Sequence, residues 1–178
     1  MKNDSCAILS DPPELFPWGL DEEDECCVAL KLLLLNRISW LRTQGVHRFA
    51  VGMNAGAGLC AAEIVCGLRG EGEDVWVDAY VPYEGLATKW TPGLRERYFD
   101  VLADCLDTYT ASPENTPTCE IEGFMDAIET TDMLLAVCGG EKPKSRELSM
   151  ALQYALRRGK EIAIVRPPHT AAFREERE

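Results

Sequence analysis

The stretch from Val46 to Val65, V-H-R-F-A-V-G-M-N-A-G-A-G-L-C-A-A-E-I-V, limits the possible folds of this chain more than any other. Phe49 to Met53 is a short apolar run and reads as a buried strand. Gly52, Gly56 and Gly58 mark a turn of small residues, and a helix is expected from about Leu59. Strand, glycine turn and helix set backbone N–H groups and a helix N-terminus at one end of a parallel sheet. That place suits an anion, typically a phosphate. Such a cradle needs no particular side chain, whereas the same glycines equally serve tight turning and close helix–sheet packing. The spacing from Gly52 is G-x-x-x-G-x-G, which is not a dinucleotide fingerprint, and no Gly-Lys-Ser/Thr occurs for a P-loop.

The remaining chain falls into alternating strands and helices around this unit. Cys6–Leu9 reads as a first strand, stopped by Ser10-Asp11-Pro12-Pro13. After a loop over 10–25, Cys26 to Gln44 is the longest helical pattern, closed by Gly45. Its Leu30, Leu33, Leu34, Ile38 and Leu41 are assigned to one face, and Leu32 and Leu35 widen it. That width is expected to be either a homodimer contact through helix 28–41 or a surface covered by the 10–25 loop. Asp74–Val81 is a third strand ending in V-P-Y-E-G, and Pro92–Leu106 is a helix with Thr91 as candidate N-cap. Thr108–Ala111 is a brief strand, Cys119–Thr131 a helix and Met133–Cys138 a strongly apolar strand. Glu147–Arg158 is a helix capped by Gly159, Glu161–Val165 is the last strand, and 167–178 is a polar tail. Continuous apolar strands alternating with helices imply a parallel sheet covered on both faces: one doubly wound, Rossmann-like α/β domain over residues 1–166. Binding then falls outside the carboxyl ends of the strands. The loops starting at Ser10, Gly52, Pro82 and Gly139 are expected to share one crevice.

Composition narrows the partners. The chain has 178 residues, with 18 basic against 30 acidic, a net charge of −12. That argues against nucleic-acid or anionic-membrane surfaces, which need clustered Lys and Arg. The acidic runs Asp21–Glu25, Glu71–Asp74 and Glu175–Glu178 read as solvated. The eight cysteines form no C-x-x-C pair. Residues 1–5 are polar, and Cys6–Leu9 is too short for a secretory h-region. Free thiols in a cytoplasmic protein, without a membrane span, are the expectation.

Several segments resemble the SLOG superfamily in its YpsA-like branch. They are F-P-W-G-L-D-E-E-D at 16–24, G-M-N-A-G-A-G-L-C-A-A-E at 52–63 and V-P-Y-E-G-L-A-T-K-W at 81–90, then T-T-D-M-L-L-A-V-C-G-G-E at 130–141 and Y-A-L-R-R-G-K-E-I-A-I-V at 154–165. The resemblance spans about residues 6–166 in order and spacing. It implies a Rossmann-like fold, a distant relationship to LOG-type phosphoribohydrolases and the DNA-processing protein DprA, and a nucleotide-derived ligand. The departures fall on polar positions. Relatives usually carry Gly-His-Arg-Pro where this chain has Ser10-Asp11-Pro12-Pro13, an Asp at Gly58 and a Gln at Leu86. The segment at 119–125 lacks the branch's basic group, and Arg146-Glu147-Leu148 replaces a Gly-Gly-Thr phosphate turn.

The candidate ligand residues are accordingly Ser10, Asp11, Gly52, Asn54, Gly56, Gly58, Pro82, Glu84, Gly85, Gly139, Gly140 and Arg146. Arg146 and Lys144 are positioned in sequence to pair with a phosphate. Glu84 is read as either a ribose partner or a helix cap. Glu147 is the weak catalytic candidate, and otherwise no catalytic residue is assigned. Trp18 and Trp90 either stack on a base at the crevice rim or pack loop on sheet. His47 and His169 read as exposed or capping rather than as bases. Cys60 and Cys66 lie on different faces of a helix and Cys26-Cys27 has no second pair, so no metal is expected. No cofactor is expected either. The reading is a sensor or regulatory module; the alternatives are a nucleotide phosphoribohydrolase or N-glycosidase, and a non-catalytic homo-oligomeric interaction domain.

Overall fold

A computed structural model describes residues 3–168; His169 and most of the polar tail lie outside the described residues. The strands are β1 (Ser5–Ser10), β2 (Arg48–Gly52), β3 (Trp76–Tyr83), β4 (Asp107–Ser112), β5 (Met133–Val137) and β6 (Glu161–Val165). The helices are α1 (Glu25–Thr43), α2 (Ala57–Gly70), α3 (Pro92–Asp104), α4 (Cys119–Glu129) and α5 (Arg146–Arg157). All pairings are parallel, in the order β4-β3-β2-β1-β5-β6.

Strand periodicity explains the three layers. Every residue of β1 is buried. Cys6 and Ile8 face one core with Leu34 and Ile38 of α1, Leu59 and Val65 of α2 and Tyr98 and Val101 of α3. Ala7 and Leu9 face the other, with Phe124 and Ile128 of α4 and Leu148 and Ala151 of α5. Side chains alternate across a strand, so one central strand feeds both cores, and apolar runs without polar alternation follow from that. The chain winds from β1 outward to β4, then returns to place β5 on the other side of β1. The switch in strand order therefore falls between β1 and β5, and that is where a crevice is expected at the carboxyl ends.

Local signals set the helix limits. Asp24 caps α1, accepting from the Cys26 and Cys27 N–H groups at 2.8 and 3.4 Å. Gly45 follows the helix at φ +101°, a left-handed conformation suited to glycine. Ser145 caps α5 through its hydroxyl oxygen and the Leu148 N–H. Thr91 precedes α3 but makes no side-chain cap. The α2 helix begins at Ala57, two residues before the expected Leu59, because Asn54 organises its entry, as described below. Two acids of the Asp21–Glu25 run are structural rather than solvated: Asp24 is the α1 cap, and Glu22 pairs with Arg97 at 2.5 Å and Lys31 at 2.7 Å. The Arg97 hydrogen bonds hold the Glu22 carboxyl well below its usual range, at about 2. These bonds fasten the 10–25 loop, which contains a short 3-10 turn at Pro13–Leu15, to α1 and α3.

Leu33 does not share the inward face of α1. Leu30, Leu34, Ile38 and Leu41 point into the core, whereas Leu33 is 43% exposed along with Leu32 and Leu35. One residue is a 100° step on a helix, too far for Leu33 to join the stripe of Leu34. All eight cysteines are free thiols, and no helix among the described residues is long and apolar enough to cross a membrane. Leu34→Ala, at a fully buried position, is expected to destabilise the fold by about 3 kcal/mol, seen as a lower urea midpoint at unchanged slope.

Candidate functional site

The entry to α2 is organised by one side chain. The Asn54 amide oxygen accepts from the Gly56 N–H at 2.9 Å and the Gly58 N–H at 3.2 Å. Its amide nitrogen donates to the Ser10 hydroxyl at 2.8 Å, tying the turn to the end of β1. These two donors of the anticipated phosphate cradle are thus occupied from within the chain. Gly58 is required by close approach: a Cβ there would collide with the Gly52 carbonyl oxygen. Any side chain at this position needs a different turn.

The second anticipated phosphate loop is also filled. Asp11 is fully buried, and its carboxylate accepts three backbone N–H groups: Gly139 at 2.8 Å, Lys144 at 2.9 Å and Ser145 at 2.8 Å. Charge-assisted bonds of this kind compensate the burial of a carboxylate. The acid occupies the anion position that a loop and helix N-terminus create at the start of α5. Gly139 allows the loop to close against the Leu15 carbonyl, which a Cβ would strike.

Beyond these plugged turns lies a crevice of about 440 Å³. It opens across the carboxyl ends of β1 to β4. Its walls include Asn54, Pro82, Tyr83, Trp90, Asn115 and Thr116, with Glu14, Glu120 and Glu147 among them and no lysine or arginine. Trp90 meets Tyr98 edge-on at 5.1 Å and keeps its place on the wall. Burial pushes the Glu120 carboxyl up from the ordinary 4.5 to about 7, and the charges of Glu147, Glu14 and Asp11 act in the same direction.

The expected ligand residues therefore divide. Asn54, Pro82 and Glu147 line the crevice. Ser10 and Asp11 are buried beneath it as supports. Gly52 closes β2 against Phe124, and Gly56 packs on Pro13. Glu84 and Gly85 are exposed; Glu84 borders a separate hollow with Arg95 and Phe99 and does not reach the crevice. Gly139 and Gly140 lie behind Asp11, and Arg146 is exposed outside the crevice wall. The fourth loop of the crevice comes from β4, through Asn115, Thr116 and Pro117, rather than from β5. Asp11 draws the β5–α5 loop over β1, which leaves only Glu147 of α5 on the wall. Trp18 packs on Phe16 at 5.2 Å beside a different, small apolar hollow. Among the described residues no group of three or more His, Cys, Asp or Glu is placed to hold a metal ion.

Glu14 and Glu120 escaped the sequence reading. A signal existed for Glu120: it stands in the first turn of a helix following a strand, the position that points back toward the carboxyl ends of a parallel sheet. No protein-family model matches the chain, and no curated protein matches it.

Asp11→Asn replaces an accepting oxygen with a donor that faces backbone N–H groups. It is expected to cost about 2 to 3 kcal/mol in urea unfolding. Glu120 generates a pH dependence of defined sign. Between pH 4.5 and about 7 the folded chain keeps a proton that the unfolded chain has lost, so stability falls as pH rises through this window and levels off above it. Urea titrations at the two ends of the window should show a smaller fall for Glu120→Gln than for the wild type.

Proposed function

We propose that this chain is a SLOG-type sensor or regulatory protein that binds the uncharged part of a nucleotide-derived ligand, a nucleoside rather than its phosphate. One observation carries the reading: the crevice at the carboxyl ends of the sheet is lined by three glutamates and no cationic side chain. A phosphate placed there meets like charge, whereas sugar hydroxyls and exocyclic amines find carboxylate and amide acceptors. Trp90 and Tyr83 supply aromatic faces for a base. The two turns that would hold phosphate are satisfied by Asn54 and Asp11. The resemblance of the strand-end segments to the SLOG superfamily supports a nucleotide-related ligand, and the loss of its polar pattern supports a changed preference.

A second reading, nucleoside N-glycosidase, is favoured by the pairing of Glu120 with Glu147. A carboxyl that burial keeps protonated toward neutral pH is suited to act as general acid, and a second carboxyl group on the same crevice wall offers a base. Glu120 would donate to the departing base and Glu147 would take a proton from water.

Thermal shift with nucleosides, their monophosphates, ADP-ribose and dinucleotides tests the first reading. A nucleoside at ten times its Kd adds about 1.4 kcal/mol of stability, and it is expected to raise Tm more than its monophosphate does. Glu120→Gln/Glu147→Gln should narrow that difference. Absence of any shift across the panel rejects ligand binding of this class. Chromatography of nucleoside incubations separates the second reading: free base should appear with the wild type and vanish with Glu120→Gln.

A further inference from the structure

The polar groups on the crevice wall divide into engaged and open ones. The Asn54 amide is fully engaged by Ser10, Gly56 and Gly58. The Asn115 side-chain oxygen accepts from the Cys119 thiol at 3.6 Å, and the Thr116 carbonyl accepts from the same thiol at 3.3 Å. Glu14, Glu120 and Glu147, in contrast, make no hydrogen bond or ion pair among the described residues. Elsewhere on the molecule Glu22, Glu63, Glu73 and Glu129 each pair with an arginine. Glu14 is exposed, whereas Glu120 and Glu147 are half-buried. Glu120 is also well anchored, because the buried Cys119 before it donates its N–H to the Thr116 carbonyl at 3.5 Å and fixes the first turn of α4. The open capacity of the crevice is therefore dominated by acceptors, and a ligand has to bring the donors.

That inventory narrows the base, and it rests on the nucleoside reading given above. An ionised carboxylate offers two accepting oxygens side by side. Guanine alone among the common bases answers with two adjacent N–H donors, at N1 and at its exocyclic N2. Adenine and cytosine set a ring-nitrogen lone pair beside their amine, and uracil flanks its N–H with two carbonyls. We propose that the crevice is a guanine-selective site in which the Glu120 carboxylate accepts from N1–H and the N2 amine together. Trp90 and Tyr83 supply the ring contacts, and Glu14 and Glu147 are left for the ribose hydroxyls. The paired bond is charge-assisted and needs Glu120 ionised. Burial raises the Glu120 carboxyl to about 7, and Glu147 in α5, Glu14 in the 3-10 turn and Asp11 after β1 push it the same way. Guanine binding therefore displaces a proton, and affinity rises with pH through that value.

Isothermal titration with guanosine, inosine and adenosine tests the assignment. Guanosine is expected to bind tightest and to gain about tenfold in affinity from about pH 6 to about pH 8, as Glu120 ionises. Inosine keeps the N1–H but lacks the amine, so it should bind about tenfold more weakly, and adenosine more weakly still. Glu120→Gln replaces one accepting oxygen with a donor, which matches the amine and N1 of adenine. The variant should lose the pH dependence and rank adenosine above guanosine, an inversion that a merely structural role of Glu120 would not produce. Circular dichroism checks its fold; if it is unfolded, the ranking and pH dependence of the wild type decide. Failure of all three nucleosides to bind rejects the nucleoside reading and this inference with it. Inosine or adenosine binding as tightly as guanosine, or a guanosine affinity that ignores pH, overturns the guanine assignment alone.

Discussion

The buried carboxylate of Asp11 is the interaction on which the functional end of this molecule depends. It leaves the end of β1, at the switch in strand order, and gathers the N–H groups of Gly139, Lys144 and Ser145. A carboxylate removed from water is tolerated only with such donors, and buried backbone donors are tolerated only with an acceptor. Each side therefore requires the other. The result closes the β5–α5 loop onto β1 and sets the start of α5, with Ser145 as its cap and Glu147 on the crevice wall.

Asn54 does the corresponding work at the other turn. Its amide bridges Ser10 of β1 and the N–H groups of Gly56 and Gly58. The two turns are alike in physical terms. Each is a place where a parallel sheet and a helix start present donors to an anion, and each is supplied with an acceptor by the chain itself. What remains open between them is a crevice with carboxylates, amides and aromatic faces, whose charge opposes phosphate. The two devices act as a set: an acid after β1 fills one turn and a glycine at 58 permits the tight approach of the other.

The fold was legible because it rests on patterns that local sequence displays. Apolar runs such as Met133–Val137, the glycines at 45 and 159 and the alternation of strand with helix each report a local preference. The lining of the crevice was legible only in part. Asn54, Pro82 and Glu147 reached the crevice, while Glu84 turned to another hollow and Arg146 to the surface. Glu14 and Glu120 stand far apart in sequence, and nothing local announces that their carboxyls share a wall. Leu33 shows the same limit on a smaller scale, since a one-residue step on a helix separates core from surface.

By itself the sequence determined a doubly wound parallel sheet, because covering both faces of buried strands is the arrangement that satisfies their apolar runs. It also indicated where a crevice opens, since parallel strands present their carboxyl ends together. Only the tertiary structure decided the character of that site. Whether a glycine turn binds phosphate depends on whether its N–H groups are free; one set is claimed by Asn54 within its own turn, held there by Ser10 of the adjacent strand end, and the other by Asp11, brought there by a neighbouring strand end. Hydrogen-bond satisfaction is settled by proximity in space, and for Asp11 and Gly139 that proximity spans 128 residues of chain.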